Sequence, residues 1–165
     1  MKDFTTNMGK AMEVMRDKGA FLTVKDGDKI NTMTIGWGNI GYQWKKTIFT
    51  VMVRKSRYTY ELIENVDEFT VSLPLNKDMK KALGVCGTKS GRDMDKFKEC
   101  GLTLKESRVV KTPIIGECDM HYECKIIYKQ EMDESLLCEK IKDSSYKNGD
   151  YHVLYVGEIV DWYIE

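Results

Sequence analysis

The sequence predicts a mainly β protein, an antiparallel barrel with helices at its periphery. Three observations lead there. Six or seven short runs are apolar or alternate apolar with polar residues, as strands do. The early runs are separated by hairpin-like turns, Asp26-Gly27-Asp28 being the clearest. Regular strand–helix–strand alternation, the mark of a doubly wound parallel sheet, is absent from the pattern.

Asn7 can cap a first helix, with Met8, Ala11, Met12 and Met15 at helical spacing and Gly19 as its stop. Those methionines read as core packing and not as a metal or cofactor box. Phe21-Leu22-Thr23-Val24 is a short strand, and Asn31 to Trp37 returns from the hairpin. The glycine-rich stretch from Gly36 to Tyr42 reads as a loop, followed by a strand from Ile48 to Val53. Ser56 is a good N-cap for a helix from about Arg57 to Asn65, which carries Tyr58, Leu62, Ile63 and Val66 on one side. Phe69 to Leu73 is a strand stopped by Pro74, and Lys77 to Leu83 a short helix. A polar loop, Cys86 to Asp93, leads into a helical turn near Asp95-Lys96-Phe97. His121 to Tyr128 and Tyr151 to Val160 are late strands.

The chain of 165 residues has no repeat and no Ser/Gly-rich linker, so one domain over residues 1–165 is expected. Lys plus Arg equals Asp plus Glu at 26 each, which argues against nucleic-acid binding through global charge. Any anion site must be local. No apolar run is long enough for a membrane helix, and Met1 to Asn7 lacks the apolar centre of a signal peptide, so a cytoplasmic protein without a membrane partner is expected. The five cysteines are odd in number and form no C-x-x-C pair, and there are two histidines. Free thiols in a reducing compartment and no metal site are the expectation.

Three segments are candidates to converge on one planar, anionic ligand. In the first, Met33, Thr34, Ile35, Gly36 and Trp37 run from a strand into the glycine-rich stretch, where backbone can approach a ligand and Thr34 can offer a hydroxyl. In the second, Arg54, Ser56, Arg57, Tyr58 and Thr59 put cations and hydroxyls at a helix start, a natural phosphate site. The third supplies Cys86, Gly87, Thr88, Lys89, Ser90 and, further on, Lys96. Gly87-Thr88-Lys89-Ser90-Gly91 is not a P-loop, because its Lys-Ser precedes the second glycine. Each segment alone has an equally simple structural reading as a loop or a solvated charge run. Together they point to a phosphate-bearing ligand.

The strings Asn31-Thr32-Met33-Thr34-Ile35-Gly36-Trp37-Gly38, Val51 to Thr59, and Cys86 to Asp93 with Asp95-Lys96-Phe97 resemble the flavin reductase-like family. His121-Tyr122-Glu123-Cys124, Gly149-Asp150-Tyr151-His152 and Tyr155 to Ile159 add to that resemblance, which is strongest with the flavoredoxin-like branch. Tyr151 is a departure, because it splits a Gly-Asp-His run, and Thr47 and Lys55 stand where close relatives have proline.

The resemblance implies a split β-barrel, antiparallel and Greek-key-like, binding FMN near a homodimer interface. It implies an oxidoreductase that passes electrons from NAD(P)H through FMN to an acceptor. A carrier fed by a redox protein, or a module for another phosphorylated ligand, are the alternatives. The phosphate is expected against Ser56, Arg57 and Thr59, with Thr34 alongside, and the ring edge against backbone of Met33 to Trp37 and Cys86 to Lys89. Lys89 near the ring would favour the reduced, anionic flavin. Trp37 or Trp44 is expected to cover the ring and His152 to line the nicotinamide side. His121 and Cys86 are expected to pack.

Overall fold

The computed structural model describes residues 3–165. Its helices are α1 (Met8–Asp17), α2 (Tyr58–Ile63), α3 (Lys80–Thr88), α4 (Lys96–Cys100) and α5 (Glu139–Ser145). Its strands are β1 (Ala20–Asp26), β2 (Lys29–Ile35), β3 (Gly38–Gln43), β4 (Lys46–Arg54), β5 (Glu68–Leu73), β6 (Leu104–Lys105), β7 (Ile114–Ile115), β8 (Met120–Glu131) and β9 (His152–Ile164). β6 and β7 form a small ribbon, and the other seven strands make one sheet in the order β2-β1-β5-β8-β9-β4-β3. Every pairing in it is antiparallel. The fold is mainly β with helices outside the sheet, as expected.

The ends of that strand order explain the barrel. β2 and β3 are the two edges of the sheet, yet Gly36 and Trp37 alone separate them in the chain. So short a link spans only about 10 Å. The sheet must therefore curl until its edges approach. No ladder joins β2 to β3 among the described residues, so the barrel is split at this seam. β8 and β9 can follow the curve because their pairing shifts register between Glu123 and Cys124 and again between Ile126 and Tyr128. β4 pairs with β9 and not with its successor β5, which lies between β1 and β8, giving the interleaved, Greek-key-like order.

Leu22, Val24, Phe49, Val51, Phe69, Val71 and Tyr122 fill the barrel interior. A second cluster of Phe21, Leu83, Cys86, Leu102, Ile115 and Cys118 packs α3 and its neighbours onto the other face of β1. Adjacent strand residues point to opposite faces, so Phe21 joins one cluster and Leu22 the other. That is why β1 reads as a continuous apolar run.

Several local expectations need correction. Asn7 stands at the start of α1 with φ 62, and its side chain makes no capping bond. The N-cap of α2 is Arg57, not Ser56. The glycine-rich stretch is largely strand β3, whose hairpin turns at Trp44 and Lys45, both in the left-handed region at φ 50 and 60. Neither residue carries the Asn-Gly signal by which such turns are recognised. α3 runs through Gly84 and Gly87 to Thr88, so the polar loop begins later than expected. Gly87 serves close packing and not a turn: a Cβ there would lie 3.3 Å from Thr34 Cβ. β6 and β7 have too few residues to show a period, and α5 has no buried face to give one.

The segment between β6 and β7 is held by two carboxylates. Glu123, fully buried, accepts from the backbone N–H of Arg108, Val109 and Val110 at 2.7, 2.7 and 3.0 Å and from the Tyr163 hydroxyl at 2.8 Å. Glu68 accepts from the backbone N–H of Lys111 and Thr112, each at 2.7 Å. A carboxylate with four donors needs no cation beside it. Replacing Glu123 by Gln turns an amide donor against backbone donors. The expected loss, read by urea unfolding, is about 3 kcal/mol, and a loss below roughly 0.5 kcal/mol would show that the anchor is dispensable.

Candidate functional site

Two hollows adjoin along β2. The smaller, about 60 Å³, is lined by Asn31 and Met33 of β2, Ser56, Arg57, Tyr58 and Thr59 at the β4–α2 junction, Cys86, Thr88, Lys89 and Ser90 at the end of α3, and Lys96 of α4. The three segments singled out in the sequence meet here. Arg57, Lys89 and Lys96 line it and no carboxylate does, so a chain of zero net charge has a cationic recess.

Lys96 is the key to this recess. It is 4% exposed, and its Nζ donates to Thr32 O at 2.9 Å and Cys86 O at 3.1 Å. Burial holds its pKa below the usual lysine range, and the Arg57 charge adds to that effect. Among the described residues no carboxylate forms an ion pair with it. A buried ammonium with two of its three donors on neutral carbonyls is suited to an anion. Arg57 Nη1 donates to Gly87 O at 3.0 Å, tying the start of α2 to the end of α3. Asn31 Nδ2 donates to Thr59 Oγ1 at 2.8 Å. The loop passes over them only because residue 91 is glycine: a Cβ there would lie 2.1 Å from Asn31 Oδ1 and 2.9 Å from Tyr58 Cδ1.

The larger hollow, about 220 Å³, is lined by Thr34, Ile35, Gly36, Trp37, Met52, Arg54 and His152. It lies at the seam, because Gly36 and Trp37 are the link between the sheet edges. The β4–β9 register sets Arg54 opposite His152. Trp37 is half exposed, its ring centroid 5.5 Å from that of His152. Burial lowers the His152 pKa to about 4, with Arg54 the next cause, so the ring is uncharged at neutral pH. A separate cleft of about 690 Å³ lies beyond Thr34, between the end of α1 and α3, with Lys18, Asp78, Met79 and Leu83 in its lining.

Some expected roles change. Thr34 Oγ1 donates to Leu83 O at 2.6 Å, so its proton is spent on α3 and not held out to a phosphate. Arg54 donates to Asp150 O at 2.8 Å and Ser145 O at 2.9 Å, so it fastens a loop. Ser56 Oγ donates to Asp150 Oδ2 at 2.6 Å. Gly87 contributes its carbonyl and its lack of a side chain rather than a lining surface. Trp44 lies at the β3–β4 turn beside Tyr128 and lines neither hollow. Burial, with Cys100 alongside, pushes the Cys86 thiol up to about 12, which suits packing. His121 is fully buried with Nδ1 3.0 Å from Ser72 Oγ, a structural position. Asn31, Met52, Tyr146 and Asp150 also belong to the site; the sequence offers Asn31, Met52 and Asp150 only as parts of the strings that carry the resemblance, and Tyr146 not at all. Only the strand register and the loop fold bring them in. No group of His, Cys, Asp and Glu among the described residues could hold a metal ion.

Residues 15–165 match the family profile described as a flavin reductase like domain. The chain belongs to the flavin reductase-like family. An uncharacterized protein of Archaeoglobus fulgidus is 33% identical over 163 residues, covering 97% of this chain and 78% of that protein. The flavoredoxin of Methanosarcina acetivorans superposes with a TM-score of 0.71 at 27% identity, over 90% of this chain and 68% of that one. A flavin reductase-like structure with a split barrel domain from Shewanella frigidimarina shares the fold, with a TM-score of 0.70 at 16% identity over 99% of this chain and 75% of that one. The barrel of this chain is thus the split barrel that the resemblance implied.

Both histidines titrate near 4 in the folded chain against an ordinary 6.5, burial being the main cause. Glu165, Lys105 and Asp119 act on His121, and Arg54, Asp150 and Arg57 on His152. The unfolded chain takes up protons that the folded chain refuses. The stability this represents is fully present above about pH 6.5 and is lost as pH falls towards about 4. At about pH 5, unfolding should take up close to two histidine protons, and His152→Gln should remove about one, read from the pH slope of the unfolding free energy. An unchanged slope in that variant means His152 is not buried neutral.

Proposed function

We propose that the protein binds FMN and works as an NAD(P)H-dependent oxidoreductase of the flavin reductase type. The single observation that carries this is the buried Lys96 ammonium in a recess with Arg57, Lys89 and the hydroxyl side chains of Ser56, Tyr58, Thr59, Thr88 and Ser90 but no carboxylate. These residues fit a phosphate monoester by charge and by donor chemistry. FMN, when bound, supplies the chemistry, taking two electrons from a nicotinamide and passing them to an acceptor.

The residues of the chain divide the remaining work. Lys96, Arg57 and Ser90 hold the phosphate end. Backbone of Met33 to Trp37 meets the planar end. Trp37 and His152 line the hollow in which a second planar molecule is oriented and water excluded. A homodimer completes the site in this reading. Its support is three exposed aromatics, Trp37, Tyr42 and Trp44, on and at either end of the edge strand β3. Residues 1–165 act as one flavin-binding domain. The cysteines are free thiols, which suits the reducing cytoplasm. No helix among the described residues is long and apolar enough to cross a membrane.

The test is the visible spectrum of the purified protein with FMN, then with NADH or NADPH without air. Flavin bands that bleach support the reductase. Bands that persist with both nicotinamides leave a carrier fed by a redox protein, and no uptake of FMN overturns the reading. Removing the buried charge in Lys96→Met should weaken FMN binding at least about tenfold, the worth of one charge-assisted hydrogen bond. Fluorescence titration measures this, and unchanged affinity would place the phosphate elsewhere.

A further inference from the structure

His152 owes its setting to a loop built from residues 145–151. Arg54 fastens that loop through Ser145 O and Asp150 O, and its guanidinium lies 4.9 Å from the Tyr146 ring centroid. Asp150, in the left-handed region at φ 57, returns the chain and takes both the backbone N–H and the hydroxyl of Ser56. Tyr151 stacks on Tyr146 at 5.0 Å. These contacts bring the Tyr146 hydroxyl to 2.6 Å from His152 Nδ1, with the two rings edge to face.

The direction of that hydrogen bond can be worked out. Tyr146 is buried, and burial raises its pKa, so the hydroxyl keeps its proton. Among the described residues His152 Nδ1 is its only hydrogen-bond partner. If Nδ1 carried a proton, the buried O–H would have no acceptor, at a cost that folded proteins avoid. The bond is satisfied when oxygen donates and nitrogen accepts. A neutral imidazole that accepts at Nδ1 carries its proton on Nε2.

We infer that Tyr146 is a positioning residue that fixes His152 as the Nε2–H tautomer, so that the hollow beside Trp37 offers a neutral N–H donor to a planar ligand bearing a carbonyl or carboxamide oxygen. Trp37, half exposed on the same hollow, gives that ring an apolar face. The ligand half rests on the reading of the site as a flavin–nicotinamide site, whereas the tautomer does not.

The experiment is a long-range proton–nitrogen NMR correlation of the nitrogen-15-labelled protein at neutral pH. There are two histidines, and the signals lost in His152→Gln assign the second set. The wild type should show an acceptor-type Nδ1 and a protonated Nε2, widely separated in shift. In Tyr146→Phe that separation should collapse towards the average of two exchanging tautomers. A protonated Nδ1 in the wild type overturns the assignment, as does a Tyr146→Phe spectrum identical to it. The wild-type pattern decides the tautomer even where the variant folds poorly. Excess nicotinamide, added to the FMN-loaded wild type, should shift the Nε2–H signal, and an unmoved signal overturns the ligand half. Failure of the protein to oxidise any nicotinamide would sink the proposed function and leave the tautomer result standing.

Discussion

The link of Gly36 and Trp37 constrains everything else in this molecule. It joins the two edges of a seven-stranded sheet, so the sheet has to close. Because the edges meet without a ladder, closure leaves a seam in which backbone and half-buried side chains stay accessible. Barrels usually remove their edges by pairing them. Here the unpaired corner becomes the hollow of Thr34 to Trp37, faced by Arg54 and His152 from the next two strands of the sheet. The site is thus a consequence of how the sheet ends.

A second constraint is electrostatic. α3 and α4 are pinned to β2 by Lys96, which bonds the carbonyls of Thr32 and Cys86, and by Thr34, which bonds Leu83 O. An apolar side chain at residue 96 would avoid the cost of burying an ammonium. Retaining the charge makes sense when an anion shares the recess, since a phosphate then meets a cation already desolvated and held in place. Glu123 works the opposite way round. Its charge is buried too, but three backbone donors and the Tyr163 hydroxyl satisfy it, and it anchors structure away from the site.

Much of this was legible in one dimension. Apolar runs and apolar alternation mark β1, β2, β4, β5, β8 and β9 close to where they lie, because a strand buried on both faces is apolar throughout and one with a single buried face repeats every second residue. The basic and hydroxyl residues at the β4–α2 junction and after α3 read as an anion site only together, since each run alone reads as well as solvated surface. The glycines misled in both directions. Gly38 and Gly41 lie inside a strand, and Gly87 lies in a helix where it lets α3 touch Thr34. A glycine is a turn signal only when the chain needs the conformation, and nothing local distinguishes that need from close packing.

The sequence by itself determined the fold class, the positions of six of the seven strands of the main sheet and the three segments of the cationic recess, since these follow from local period and local composition. Tertiary structure alone decided which polar groups are free to meet a ligand. Thr34 and Arg54 looked available but are bound to backbone carbonyls of distant residues, while Lys96 is buried without an acidic partner. Tyr146 and Asp150 enter the site only through the β4–β9 register and the loop that Arg54 fastens. Hydrogen-bond partners tens of residues apart leave no periodic trace in a chain, so their assignment waits on the fold that brings them within 3 Å of one another.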